Sequence, residues 1–332
     1  MLTALSRAAR RRLFQVSAAL LVVCGLLVWW LVPFGPPAPS GRVTVSTGVP
    51  TGVYQRYGEL LRQALATDLP DVSITLKNSE GSQQNLARLA SGEADFTIAT
   101  ADAVAQYQHD RKPGFDRLRG SARLYDDYVQ LVVPKTSPVR SIADLRGLRV
   151  GVGQEGSGVR LIADRVLAAG GLAPGTDIKP VSAGIDTMPD LLERGELDAF
   201  FWSGGLPTQA VQALSERMPV RLVSMDMALV DKLHDVGEST RHYRSAVIPA
   251  DAYKQAQDGQ PVETVAVANL LVTTDTADSA LVEGLTRTVI RSRDRIGGQV
   301  HPAQLVDLRT AIYTEPLSLH EGARRYYRSV KP

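Results

Sequence analysis

The chain has 332 residues, 44% hydrophobic and 22% charged, enough for one large or two medium α/β domains of ordinary globular composition. Its net charge of +2 owes its sign to Arg7, Arg10, Arg11 and Arg12. The other 33 basic residues face 35 acidic ones, so nothing in the charge favours nucleic acid. Cys24 is the sole cysteine, which excludes internal disulfides and thiolate metal clusters. No two of the five histidines show H-x-x-x-H spacing, so no metal site is expected.

Residues 1–12 read as a basic cytoplasmic tail. Residues 13–32 carry no charge and, as a helix, would span about 30 Å, the thickness of a bilayer core. Arginines before the run place that side in the cytoplasm, and Trp29 and Trp30 fall at the far interface. The alternative is a cleaved signal sequence, which would leave a secreted or periplasmic protein. It lacks a good cleavage site: Pro39 follows Ala38, Pro36 stands at the −3 position, and Val23 before Cys24 spoils a lipoprotein box. The anchor reading is preferred, with the cytoplasmic membrane as a partner through residues 13–32. Residues 33–41 form a stiff Pro-rich linker.

The soluble part follows an alternating plan. A strand at 42–46 leads through the loop TGVPTG to a helix marked by Tyr54, Tyr57, Leu61 and Leu65. A strand at 72–76 and the turn NSEGS precede a helix with Leu86 and Leu89. A third strand lies within ASGEADFTIAT, and 128–133 adds another. The plan restarts with a strand at 148–152, a helix through Val159, Ile162 and Val166, a strand near 178–182, and a helix through Met188 and Leu192. ERGELDAFFWSGG then echoes SGEADFTIAT. This order predicts an α/β fold of two similar lobes with parallel sheets and right-handed crossovers, the ligand cleft lying between them. Lobe 1 is expected from 42–140 and 250–332, the chain returning near 265–273, and lobe 2 from 141–249.

SIADLRGLRVGVGQEGSG feeds a strand into a Gly-rich loop at a helix start, where free N–H groups and the helix dipole favour an anion. Gly151, Gly153 and Gly156 also spell G-x-G-x-x-G, with Asp177 downstream. That dinucleotide pattern is weak here: it does not open the domain, and Asp177 lies in the turn APGTDIKP. No cofactor is expected.

STGVPTGVY, NSEGSQQNLARLASGEADFTIATAD, SIADLRGLRVGVGQEGSG, LDAFFWSGGLPTQAV, ETVAVANLLVT and HEGARRYYR, in this order over most of 42–328, resemble the TAXI family. These are the extracytoplasmic solute-binding subunits of TRAP transporters. The resemblance implies a type II periplasmic-binding-protein fold and no enzyme activity. It further implies closure on a small organic carboxylate such as glutamate or a related dicarboxylate, or an amino acid, and delivery to a TRAP-type membrane permease.

Carried over by position, the resemblance implies four ligand loops. The first holds Thr51, Gly52 and Tyr54. The second holds Ser79, Gly81, Ser82 and Asn85, within the family's GS-x-x-N. The third holds Gly156, Ser157 and Gly158. The fourth holds Trp202, Ser203, Gly205 and Pro207. Asp102 matches an aspartate after the third strand. Thr100 and Ala101 before Asp102, and Val159 after the GSG, depart from the family pattern. Glu80 and Glu155 lie in ligand loops, either solvated or facing the cleft. Trp202 reads equally as a packing aromatic or a ligand platform, and Tyr54 as a cleft or a core residue.

A membrane-tethered sensory binding protein shares these features. A serine hydrolase does not, since Glu155 occupies the first Gly of G-x-S-x-G around Ser157. The anchor reading has a direct test. The full chain is expected to stay in the membrane fraction with residues 13–32 intact. A freely released protein with a mature N-terminus near Ser40 would overturn it.

Overall fold

The computed structural model describes residues 14–24 and 38–330. Residues 14–24 form an exposed helix, α1, in a unit separate from 39–332. All of the expected tail 1–12, residues 13 and 25–32 of the expected span and residues 33–37 of the linker lie outside the described residues. Among the described residues no helix is long and apolar enough to cross a membrane.

The larger unit begins β1 (Gly41–Ser46), α2 (Val53–Asp68), β2 (Val72–Lys77), α3 (Ser82–Ser91), β3 (Phe96–Thr100), α4 (Ala101–His109) and β4 (Leu118–Pro134). It continues with β5 (Arg149–Gly151), α5 (Gly158–Ala169), β6 (Lys179–Val181), α6 (Met188–Glu193), β7 (Ala199–Gly204), α7 (Gln209–Arg217) and β8 (Val220–Val223). Then come α8 (Met227–Val236), β9 (Tyr243–Ile248), α9 (Lys254–Gln257), β10 (Val262–Thr274), α10 (Ser279–Arg291), α11 (Arg293–Gly297) and α12 (Glu321–Val330).

The strands form one continuous sheet in the order β2-β1-β3-β10-β4-β7-β5-β6, with β8 on β4 and β9 on β10. Two parallel triplets flank the centre: β1 lies between β2 and β3, and β5 lies between β6 and β7. The sequence echo is a structural one, since SGEADFTIAT supplies β3 and RGELDAFFWS supplies β7 at matching positions. Each triplet needs helical crossovers because parallel neighbours cannot be joined by a tight hairpin.

The centre differs from the expected short strands. β4 runs for 17 residues and β10 for 13. β4 pairs with β10 along 118–128 and with β7 and β8 along 128–134. β10 pairs with β3 at its C-terminal end and with β9 at its N-terminal end. The two long antiparallel strands therefore belong to both halves of the sheet. Three apolar clusters follow this plan. One packs α2, α10 and α12 against the first triplet, around Tyr57, Phe96 and Tyr327. One packs α6, α7 and α9 near Phe200 and Tyr253. The third, around Leu131, Val166 and Phe201, lies between them.

A buried ionic cluster ties α4 to α5 and β9. Arg165 Nη1 donates to Asp102 Oδ2 at 3.1 Å and to the Tyr243 hydroxyl at 2.9 Å. The Tyr243 hydroxyl donates to the same Asp102 oxygen at 2.6 Å. Arg165 Nη2 reaches Gln106 and, at 2.8 Å, Ser239. Removing one partner of a buried pair leaves an uncompensated charge. Arg165→Met is therefore expected to destabilise the fold by about 3–5 kcal/mol, with most of it restored by adding Asp102→Asn. Urea unfolding measures this, and a cost below about 1 kcal/mol would show that the cluster does not matter for stability.

Candidate functional site

All six strands of the two triplets send their C-terminal ends to one cleft. Gly48 and Val49 follow β1, Glu80 and Gly81 follow β2, and Thr100 ends β3. Gly153 and Gln154 follow β5, Ala183 and Gly184 follow β6, and Ser203 and Gly204 end β7. This is where parallel α/β sheets carry their ligands, because helix N-termini gather at the same edge. The enclosed part of the cleft has a volume of about 70 Å³, and the space with its open mouth included comes to about 650 Å³. Its walls include Val49, Val53, Val159, Ile185, Met188 and Trp202.

The helix starts around the cleft share a trait. α2 begins after Gly52, α3 after Gly81 and α4 after Thr100, and none of the three has a side-chain cap. α5 has one: Ser157 Oγ accepts from the Arg160 amide at 3.0 Å and donates to Gln154 O at 2.7 Å. The amides of Ser82 and Gln83 on α3, and of Gly158 and Val159 on α5, make no hydrogen bond to protein among the described residues. Unpaired donors at a helix N-terminus are positive ends awaiting an acceptor.

Close approach brings α3 and α5 together. Gly81 has φ +129, a conformation open to glycine. A Cβ on Gly158 would lie 3.0 Å from Ser82 Oγ, so the start of α5 has room for little more than hydrogen there. Two bonds then stitch the loops: Gln83 Nε2 donates to Ser157 O at 2.9 Å, and the Gln84 amide donates to Gly156 O at 3.1 Å.

Of the expected site residues, Gly52, Tyr54, Gly81, Ser82, Ser157, Gly158, Trp202 and Ser203 line the cleft. The ring of Trp202 serves both readings: it lines the cleft, packs into the core, and donates through Nε1 to Thr208 Oγ1 at 2.9 Å. Tyr54 faces the cleft as well. Its hydroxyl donates to Asn269 Oδ1 and lies 3.2 Å from Ser82 Oγ. Burial above all, with Asp127 nearby, pushes that hydroxyl well above its usual pKa, so it remains protonated.

The other expected residues lie elsewhere. Asn85 is fully buried, and its amide is consumed by protein. Oδ1 accepts from Ser46 at 2.6 Å and from Ser79 at 2.7 Å, and Nδ2 donates to Thr47 O at 2.7 Å and Ile98 O at 2.9 Å. Asn85 and Ser79 thus fasten the first two ligand loops to the sheet from behind. Asp102 belongs to the Arg165 cluster and not to the cleft lining. Thr51 and Pro207 are exposed, Gly205 packs on Pro302, and Gly156 serves through its carbonyl. Glu80 lines the cleft mouth, whereas Glu155 is exposed and paired with Arg160 at 3.0 Å. Asp177 closes its own turn on the Ala173 amide at 2.8 Å and pairs with Arg146, well occupied without a ribose.

The sequence reading missed Asp127. It lines the cleft from the middle of β4, is 4% exposed, and its Oδ1 lacks a well-formed hydrogen bond among the described residues. Burial pushes its carboxyl up to about 7; nearby Asn269 works against this, and Asp126 and Asp102 add to it. The unfolded value is about 4, so this group favours folding fully below about pH 4 and loses that contribution as pH rises through about 7. The stability of Asp127→Asn relative to the native chain is therefore expected to climb between about pH 4 and pH 8. Urea midpoints across that range check it, and a flat difference would count against a buried, uncompensated carboxylate.

A model of the NMT1-like family matches residues 45–330. Among solved structures, a Listeria monocytogenes protein proposed to be an L-cystine ABC transporter is 13% identical, with 80% of this chain and 98% of that chain covered and a TM-score of 0.51. XAC2383 from Xanthomonas citri, solved bound to ATP, is 12% identical, with 88% and 100% covered and a TM-score of 0.50. The periplasmic aliphatic sulphonate binding protein SsuA from Escherichia coli is 16% identical, with 89% and 84% covered and a TM-score of 0.49. The family match spans nearly all of the larger unit: the chain belongs to the NMT1-like family and has an α/β periplasmic-binding-protein-like fold.

Proposed function

We propose that this chain is an extracytoplasmic solute receptor, not an enzyme, that captures a small organic acid and hands it to a membrane permease. One observation carries the reading: uncapped helix N-termini meet in a single cleft at the carboxyl ends of two parallel triplets of strands. An acid group supplies the missing acceptors, and its charge relieves the mutual repulsion of the helix dipoles. Two halves joined by long strands suit closure around the solute.

The finer assignment, a TAXI-type subunit serving a TRAP permease, rests on the motifs that resemble that family. STGVPTGVY, NSEGSQQN, GVGQEGSG and FFWSGGLPT supply the loops around this cleft. The names of similar proteins support a transport role of this general kind, one being a proposed ABC transporter and another a periplasmic sulphonate binder. Under this reading 42–140 with 250–332, and 141–249, move as two lobes, and residues 13–32 keep the receptor beside its permease.

Gly158→Val tests the site. The branched side chain would press on Ser82 and cover the first amides of α5. Binding of the solute that co-purifies with the native chain is expected to fall at least about a hundredfold by calorimetry. The circular dichroism spectrum should be unchanged. Undiminished affinity in a folded variant would remove this helix start from the site.

A further inference from the structure

We propose that Asp127 is the subsite for a protonated amine on the solute, and that it selects acids bearing an amine over acids that lack one. The inference rests on the receptor reading and deepens it.

The cleft has two chemically opposite ends. One end is the amides of α3 and α5, which want an acceptor. The other end is Asp127, with Ser203 beside it on the neighbouring strand, where Val129 pairs with Ser203. Asp127 is 4% exposed and Ser203 7%, both line the cleft, and among the described residues Asp127 Oδ1 and Ser203 Oγ lack a well-formed hydrogen bond, the neutral Asn269 amide beside Asp127 supplying no charge. A buried carboxylate without a counter-charge is costly, and folds retain one where a ligand completes it.

Among the described residues no cation is available to this carboxylate. Arg123 at 2.8 Å and Arg244 are both spent on Asp126. Arg165 is spent on Asp102. The titratable and polar groups that influence Asp127 are Tyr54 from α2, Tyr125 from its own strand, Asn269 from β10, Asp102 from α4 and, across the strand, Asp126, with Glu80 at the cleft mouth. None is positive. A dicarboxylate would satisfy the helix ends and set its second charge against Asp127. A molecule with an ammonium next to its acid group satisfies both ends. Tyr54 stands between the two groups: its hydroxyl lies 3.2 Å from Ser82 Oγ, and the Asp127 charge raises its pKa.

The experiment is calorimetric titration of the full-length protein with matched pairs: glycine and acetate, L-alanine and propionate, L-glutamate and glutarate, taurine and ethanesulfonate. At least one amine-bearing member is expected to bind, and its amine-free partner to bind at least about tenfold more weakly. The amine stays protonated across the working range, so the sign of the pH dependence follows Asp127 alone. Affinity for the amine-bearing solute should fall as pH drops from about 8 to about 5, because Asp127 takes up a proton. Asp127→Asn should abolish both the discrimination and this pH dependence while keeping its circular dichroism spectrum. The pH arm on the native chain stands even if that variant fails to fold. Equal or tighter binding of an amine-free partner, affinity that rises on acidification, or discrimination that survives Asp127→Asn would each overturn the assignment of Asp127 and leave the receptor reading intact. If no pair yields binding, the reading of the cleft as a receptor for small organic acids falls with it.

Discussion

Unsatisfied helix N-termini are the constraint around which this molecule is arranged. An α-helix leaves its first amides without partners, and proteins usually cover them with Ser, Thr, Asp or Asn. Here α2 and α3 start at glycines and α4 at a threonine that does not cap, all beside one cleft. Elsewhere Asp226 caps α8 and Asp278 caps α10, whereas α9 and α11 begin without a side-chain cap. What sets α2, α3 and α4 apart is that their uncapped starts gather at one cleft. Parallel triplets make it possible, since only parallel strands with helical crossovers bring several helix starts to one sheet edge.

Behind the cleft, buried polar side chains hold the loops that the glycines leave loose. Asn85 uses its whole amide to bind β1, the loop after β1, the loop after β2 and β3. Tyr54 then links the start of α2 to Asn269 on β10. A side chain that spends its hydrogen-bonding capacity on backbone positions a site without touching the solute. Asn85 and Ser79 have that role here, and the lining residues in front of them are left with the contact surface.

Much of the fold was legible because its signals are periodic. The helix beginning after Ser157, the Gly92 stop after α3 and the echo between β3 and β7 follow from spacing and turn chemistry alone. The edge strands β8 and β9 escaped because β8 has only four residues and β9, YRSAVI, has no regular alternation of apolar and polar positions. Asp102 and Asn85 lie within the very motifs that form the loops, and sequence position cannot tell a residue that faces the cleft from one that braces its back. Asp127 was hidden for another reason. In RLYDDYVQLVV adjacent acids point to opposite faces of a strand. Asp126 finds arginines on one side, while Asp127 enters the cleft on the other. An acid within an otherwise apolar strand was the available clue, and only the sheet shows which face is the cleft.

β4 and β10 run unbroken through both halves of the sheet, and Asp127 lies at the crossing. It pairs with Val267, while the next residue, Tyr128, lies opposite both Ala266 and Gly204. If the halves close as proposed, this is the fulcrum, the place where rotation displaces atoms least. A group at a fulcrum meets the solute in much the same way before and after the swing, whereas the helix ends at the tips of the halves must travel to reach it. Recognition would then be divided in time. Chemical selection occurs first at the still centre, and the amides arrive afterwards as a lock, so that a rejected solute leaves without the receptor completing a stroke.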